Sequence, residues 1–314
     1  MGFLYLLESV RNSFLDSAML VITALGEETV FMVIAMFLLW CVDKYEGYYM
    51  LTIGFIGTQI NQLLKVIFRI PRPWVRDPNF KPVAGAVEEA TGYSFPSGHT
   101  QSAIGSFGAV ARWNKNKWLR IICITLALLV AFSRMYLGVH TPIDVLISLG
   151  IATILVFGLY PVFKKARENH KVMHILLVVL TVWSIAQVLF MELYPFPKSA
   201  NGEELFSGLK NAYKMAGAVV GLIVVFEVDR RFTNFKTEAV WWAQVLKVVL
   251  GLGLTLAVKE ICYFVFGLFC SDTLLRGLSY FMMVLFAGIV WPLTFKWFSK
   301  LGNRNKKVRK GYFS

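Results

Sequence analysis

Lys65-Val66-Ile67-Phe68-Arg69-Ile70-Pro71-Arg72-Pro73, then Pro96-Ser97-Gly98-His99, then Ser133-Arg134 followed by His140 and Asp144, all fall within residues 65–144. Each of these three clusters sits at the end of an apolar segment. Simple alternation of the segments across a bilayer places all three on one side. Read outward from them, the fold is all-α: a polytopic transmembrane helical bundle of about nine spans, preceded by an N-terminal interfacial helix.

Composition agrees. Of 314 residues, 57% are hydrophobic and 16% charged, against about 25% charged in a soluble domain. The net charge of +13 raises nucleic acid as a partner. The cations instead fall in short loops on alternate sides and in the tail, the positive-inside pattern, so the expected partner is the membrane and not nucleic acid. Cys41, Cys123, Cys262 and Cys270 lie in or beside apolar segments. Their spacing is neither metal-like nor disulfide-like, and they read as small buried hydrophobes. The N-terminus lacks a basic n-region and a small-residue cleavage site, so the first membrane segment is expected to act as the insertion signal.

Residues 1–26 read as amphipathic, because Glu8, Arg11, Asn12 and Asp16 interrupt Phe3, Leu6, Leu7, Val10, Phe14 and Leu15. A helix lying on the membrane is expected there, with a tenth span as the alternative. Spans follow near Thr29–Val42, Tyr48–Arg69, Ser97–Trp113, Trp118–Leu137, Pro142–Phe163, Val172–Tyr194, Leu209–Val228, Ala239–Cys262 and Leu274–Phe298. Arg112, Lys115, Lys117 and Arg120 flank one turn; Lys164, Lys165, Arg167 and Lys171 another; Arg230, Arg231 and Lys236 a third. With the tail cations Lys296, Lys300, Arg304, Lys306, Lys307, Arg309 and Lys310 these fall on one side, which is then cytoplasmic. The C-terminus is expected in the cytoplasm and the three clusters on the outer face.

The residue types in the clusters suit a phosphate. Lys65 and Arg72 are seven apart, about two helical turns, so both can look the same way on one helix before Pro71 and Pro73 end it. Arg72 offers a planar fork to phosphate oxygens and Lys65 a compact charge. Two cations snorkelling to head groups would look similar. Ser97 is placed to cap a helix whose free N–H groups suit an anion, and Gly98 lets the backbone approach closely. His99 is positioned to protonate a leaving oxygen. A plain capped helix with an interfacial histidine is the alternative. His140 and Asp144 are one turn apart, so Asp144 can fix the tautomer of an imidazole that attacks phosphorus, while Arg134 binds the transferring group. Thr141-Pro142-Ile143-Asp144 is equally a good helix start, and the two roles are compatible.

Taken together, Lys65 with six residues before Arg72-Pro73, then Pro96-Ser97-Gly98-His99, then Ser133-Arg134 with five residues before His140 and three before Asp144, resembles the complete three-part signature of the type 2 phosphatidic acid phosphatase superfamily. The resemblance covers roughly residues 20–165. It implies that Lys65, Arg72 and Arg134 hold the phosphate with Ser97 and Gly98. His140 would be the nucleophile of a phosphohistidine intermediate, Asp144 would orient it, and His99 would protonate the leaving group. It implies no metal and no cofactor, and inhibition by vanadate. The expected substrate is a lipid phosphate or diphosphate, namely undecaprenyl diphosphate, phosphatidic acid or phosphatidylglycerophosphate, hydrolysed at the outer face of a bacterial plasma membrane.

Other readings stay open: a phosphotransferase to a lipid or sugar hydroxyl, a sugar-phosphate phosphatase, and a lipid-phosphate transporter that keeps the signature for docking. The domain division is an interfacial helix at 1–26, a phosphatase core at 27–194, and additional spans with a basic tail at 195–314. The loop 74–95, with Glu88 and Glu89, reads as a lid, a head-group reader or a solvated loop. Glu192 and Lys259-Glu260 read as groups near the outer interface, and Trp241-Trp242 as an interfacial belt. The C-terminal half is left with a lipid groove, a homodimer face or a partner site as its uses.

Overall fold

The computed structural model describes residues 1–88, 90–197, 200 and 202–301. Glu89 and the tail cations Arg304, Lys306, Lys307, Arg309 and Lys310 lie outside the described residues. The described residues are helical, without a strand among them. In order they form α1 (Gly2–Ser9), α2 (Ser13–Ala24), α3 (Glu28–Phe37), α4 (Lys44–Phe68), α5 (Pro73–Arg76), α6 (Ala84–Val87), α7 (Gly98–Trp113), α8 (Lys117–Tyr136), α9 (Pro142–Gly158) and α10 (Tyr160–Glu168). There follow α11 (His170–Leu193), α12 (Gly202–Val228), α13 (Trp241–Phe266), α14 (Asp272–Leu285) and α15 (Phe295–Phe298).

Among the described residues seven helices are long and apolar enough to cross a membrane, or eight if the bent pair Ser13–Ala24 and Glu28–Val42 makes one span. The chain is a multi-pass membrane protein, and by length and composition the described helices do not confirm the expected count of nine spans. Two places account for this. Residues 1–26 form two helices and not one. Asn12 breaks them, its side chain accepting from Leu15 N–H at 3.0 Å to cap α2. α2 and Glu28–Val42 meet at a bend of 45°, so Thr29–Val42 is continued through a kink by residues read from sequence as interfacial. The second place is α7, with 16 residues, about 24 Å at 1.5 Å per residue against about 30 Å of hydrocarbon. Its Thr100, Gln101 and Ser106 are buried among other helices, so α7 need not be as apolar as a helix that faces lipid.

The chain divides into two compact units. The first holds Met1–Ile34, Tyr49–Lys164 and Leu189–Asn211. There α7 packs on α8 and α9, and α2 on α8. Ala103, Phe107 and Ala111 of α7 meet Cys123, Ala127 and Val130 of α8. Small residues let the backbones approach, which is how helices gain dispersion contact where lipid removes the hydrophobic drive. Ile154 and Phe157 of α9 stay exposed, as a lipid-facing surface requires. The loop 74–95 is not simply solvated. Trp74, Val83, Ala86 and Ala90 pack with Leu7, Tyr136, Leu137 and Val139, and Val83 N–H donates to Leu137 C=O at 3.0 Å.

The second unit holds Ala35–Tyr48, Lys165–Val188 and Ala212–Ser314. Its α13 packs on α14, and buried Trp40 donates to Ala287 C=O at 3.0 Å beside Trp291 and Phe295. Lys44 pairs with Asp229 at 2.9 Å. Lys247 is wholly buried within α13, donating to Thr237 C=O at 2.9 Å and lying over the Phe295 ring. Lys259 pairs with its neighbour Glu260 at 3.1 Å. Trp241 and Trp242 are exposed, in keeping with an interfacial position.

Candidate active site

All eight residues expected at the site lie in the first unit. α4 ends at Phe68, where Arg69 takes the left-handed conformation at φ 49°. Arg72 then stands at the N-cap of α5. Lys65 and Arg72 are therefore not two turns apart on one helix, as expected. A reversal of the chain at Arg69 brings them together, because a left-handed residue cannot continue a right-handed helix.

Arg72 is 6% exposed and its fork is heavily used. Nε donates to Gly92 C=O at 2.9 Å, Nη2 to Thr91 C=O at 2.7 Å, and Nη1 to Val139 C=O at 3.0 Å. Nη1 also faces His140 Nε2 at 3.0 Å. A guanidinium can only donate, so Nε2 accepts and the ring proton sits on Nδ1. Nδ1 points to Asp144 Oδ2 at 3.6 Å, too far for a hydrogen bond. Contacts of this kind are often long in an unliganded site and tighten with substrate. Asp144 Oδ2 is held by Ser94 Oγ–H at 2.7 Å and by Thr141 N–H at 2.8 Å, the second of these being half of a capping box for α9.

His140 reaches this place through the end of α8. Gly138 has φ 78°, and a Cβ there would meet the Phe80 ring at 2.8 Å. Only glycine fits both the conformation and the space. The N–H groups of Val139 and His140 both donate to Arg134 C=O at 3.2 Å. Burial, together with the charges of Arg72, Arg134 and Lys65, holds the imidazole in this turn well below its ordinary pKa, so it is neutral.

Arg134, 1% exposed, donates from Nη1 to Thr23 Oγ1 at 2.7 Å. Ser97 caps α7, accepting from Thr100 Oγ1–H at 2.9 Å. A Cβ on Gly98 would meet nothing within 4 Å, so the first turn of α7 has open space before it. Lys65, Arg72, Gly98, His99, Arg134 and His140 line one cavity of about 360 Å³. His99 Nε2 is buried without a hydrogen-bond partner. Ser97 and Asp144 stand behind this lining and support it.

Sequence reasoning missed Ser94, which orients the carboxylate, Thr23, which orients Arg134, and Asn61 and Glu27 in the lining. Thr23 was hidden by the reading of residues 1–26 as a surface helix. Ser94 lies only three residues before Ser97, but nothing in its spacing marks it.

The chain matches the PAP2 superfamily over residues 46–168, and the PAP2 superfamily phosphatase transmembrane extension over residues 213–304. It is 35% identical over 156 residues to the undecaprenyl-diphosphatase BcrC of Bacillus subtilis (strain 168), covering 48% of this chain and 75% of that protein. It is 28% identical over 176 residues to the phosphatidylglycerophosphatase B of the same organism, covering 51% of this chain and 82% of that protein. It is also 31% identical over 159 residues to a probable sphingosine-1-phosphate phosphatase of Dictyostelium discoideum, covering 46% of this chain and 38% of that protein. No solved structure matches the chain. The three-part signature, its convergence on one cavity and the identity across three quarters of a bacterial relative lead to one assignment: this multi-pass membrane protein belongs to the PAP2 superfamily.

Proposed function

We propose that the protein hydrolyses a lipid phosphate or diphosphate through a phosphohistidine intermediate, without a metal, at the extracytoplasmic face of a bacterial plasma membrane. The observation that carries this reading is the orientation of His140. Its Nε2 lone pair is turned to Arg72 inside the cavity and its Nδ1–H faces the Asp144 carboxylate.

Lys65, Arg72 and Arg134 hold the phosphoryl oxygens, aided by the free N–H groups that follow Ser97 and Gly98. His140 Nε2 attacks phosphorus. The P–N bond forms as the P–O bond to the lipid breaks, and His99 gives its proton to the departing oxygen. Asp144 stabilises the imidazolium cation that develops. Water then attacks phosphorus and gives a proton to His99, the P–N bond breaks, and inorganic phosphate leaves. The three cage cations supply the charge stabilisation that a divalent ion gives elsewhere, and they would repel such an ion.

In this reading residues 27–194 are the phosphatase core and 195–314 add spans whose basic tail is cytoplasmic. The relatives' names span isoprenoid, glycerol and sphingoid phosphates, and substrates of these classes are the ones to try. The test is phosphate release by the purified full-length protein in detergent with a chelator present, using undecaprenyl diphosphate, phosphatidic acid and phosphatidylglycerophosphate, beside His140→Ala. Release that survives chelation and needs His140 supports the reading. Movement of phosphate lipid without release, or release that requires a metal, overturns it.

A further inference from the structure

The cavity extends past the phosphate cage. Beyond Lys65 and His99 its lining includes Thr58, Asn61 and Gln62 of α4, Ser102 of α7, and Glu27 with Glu28 at the turn between α2 and α3. Its exposed lining residues are Thr91 at one place and Glu28 with Thr29 at the other. The cavity thus reaches the surface both at the loop clamped by Arg72 and at the α2–α3 turn.

Asn61 is the distinctive group of this second lobe. It precedes Lys65 by one helical turn and shares its face of α4. It is 4% exposed, yet neither its amide nitrogen nor its amide oxygen has a hydrogen-bond partner. A buried polar group left unpaired costs about 1–3 kcal/mol, so a buried amide that lines a cavity with both its atoms open is set for a ligand. The charges of the lining say which kind. Its cations are Lys65, Arg72 and Arg134, and all three belong to the cage. Its remaining charged members are Glu27 and Glu28. A second phosphate in this lobe would meet carboxylates and gain no further cation, whereas a hydrogen-bond donor would find acceptors.

We infer that this lobe holds the leaving group and selects a lipid phosphomonoester that carries a hydrogen-bond donor, a hydroxyl or an ammonium, beside the phosphate ester, bound by Asn61 and Glu27. The inference rests on the phosphatase reading above. The donor gives its hydrogen to the Glu27 carboxylate or to Asn61 Oδ1, and Asn61 Nδ2 donates to a neighbouring oxygen. His99 lines the same cavity as Asn61 and Glu27, and the departing oxygen needs its proton. Asn61 and Glu27 are specificity residues in this scheme and take no part in the bond changes.

The experiment compares kcat/KM for phosphate release from lysophosphatidic acid, which has a free hydroxyl next to the phosphorylated carbon, and from phosphatidic acid, in which that hydroxyl is acylated. Sphingosine 1-phosphate supplies the ammonium arm and farnesyl diphosphate the second phosphate. Wild type is expected to favour at least one donor-bearing substrate over both phosphatidic acid and farnesyl diphosphate by about tenfold or more, equivalent to about 1.4 kcal/mol. The arm that shows the preference identifies the donor. Asn61→Leu and Glu27→Gln are each expected to compress that ratio to about threefold or less. Because the readout is a ratio on one preparation, partial loss of folded protein cancels. Release without preference, preference for the diphosphate, or a ratio that survives both substitutions overturns the inference and leaves the phosphatase reading standing. No release by wild type from any of the four substrates overturns the inference, and phosphate release from undecaprenyl diphosphate or phosphatidylglycerophosphate by the same preparation then decides whether the phosphatase reading falls with it.

Discussion

Arg72 donates to His140 Nε2 across 3.0 Å while the same guanidinium holds the carbonyls of Thr91, Gly92 and Val139. One side chain therefore ties the loop 70–96 to the turn that carries His140, and also selects the tautomer of that histidine. In the mechanism proposed above, an entering phosphoryl oxygen replaces Nε2 as an acceptor for Arg72 and leaves the lone pair free to attack.

That double duty separates Arg72 from Lys65. Lysine cannot reproduce a fork that reaches three carbonyls. Arg72→Lys is expected to lower kcat/KM by about a hundredfold or more and to destabilise the protein by about 2 kcal/mol or more, since buried carbonyls lose their donors. Lys65 is 8% exposed beside Arg72 and Arg134, with the Glu204 carboxylate also near. Lys65→Met is expected to lose as much activity but to keep or raise the unfolding temperature, because a buried ammonium beside two guanidiniums loses more in desolvation and repulsion than the nearby carboxylate returns. Thermal unfolding in detergent beside kinetics separates the two. Equal destabilisation by both would refute the division of roles.

Ser94 offers a second test, on a residue outside the signature. It donates to Asp144 Oδ2 at 2.7 Å and is fully buried. Ser94→Ala leaves Asp144 anchored only by Thr141 N–H and is expected to cut kcat by about tenfold, the worth of one such bond at about 1.4 kcal/mol. Asp144→Asn removes the charge that stabilises the attacking imidazole and is expected to cost about 10² to 10⁴ in kcat. A KM effect without a kcat effect would place Ser94 in substrate binding instead.

Six of the eight residues singled out in the sequence line one cavity, and they were legible because residue type and spacing mark them. A histidine one turn before an aspartate, or a serine cap before a glycine, carries its meaning locally. The spans were legible for a similar reason: α8, α9 and α11 begin and end within a few residues of their apolar runs. What could not be read was long-range. Thr23 serves Arg134 only because α2 packs on α8, and the polar α7 is tolerable only because other helices surround it. The reversal at Arg69 was missed because a non-glycine residue in the left-handed region leaves little trace in composition.

The pH dependence follows from His140. Burial and the neighbouring cations lower its folded pKa below the ordinary value of 6.5. The neutral, attacking form therefore persists below pH 6.5, and the acid limb attributable to His140 lies under that value. Below 6.5 the unfolded chain binds a proton at His140 that the folded chain refuses, so the contribution of this group to stability is constant above 6.5 and falls as pH drops beneath it. His140→Asn is expected to reduce that acid sensitivity. An acid limb centred above pH 6.5 and removed by His140→Asn, with chemistry rate-limiting, would contradict the assignment.

Gly138 tests whether the turn geometry, and not only the side chains, makes the site. At φ 78°, with Phe80 only 2.8 Å from the place of a Cβ, alanine meets both backbone strain and a clash. A non-glycine residue in this region costs about 1 kcal/mol or more, and displacing a buried ring in a packed cluster adds about 1–3 kcal/mol. Gly138→Ala is expected to lower the unfolding temperature and to reduce kcat by more than the loss of folded protein explains, because the turn that shifts ends at His140. Pairing it with Phe80→Leu removes the ring clash and leaves the strain, together with Arg11 Nη2, the end of a flexible side chain 2.8 Å from the place of a Cβ. Recovery of stability without recovery of kcat would locate the catalytic defect in the backbone of residues 137–141. Recovery of both would assign it to the ring contact, and an unaltered kcat in the single variant would mean that the position of His140 does not depend on this turn.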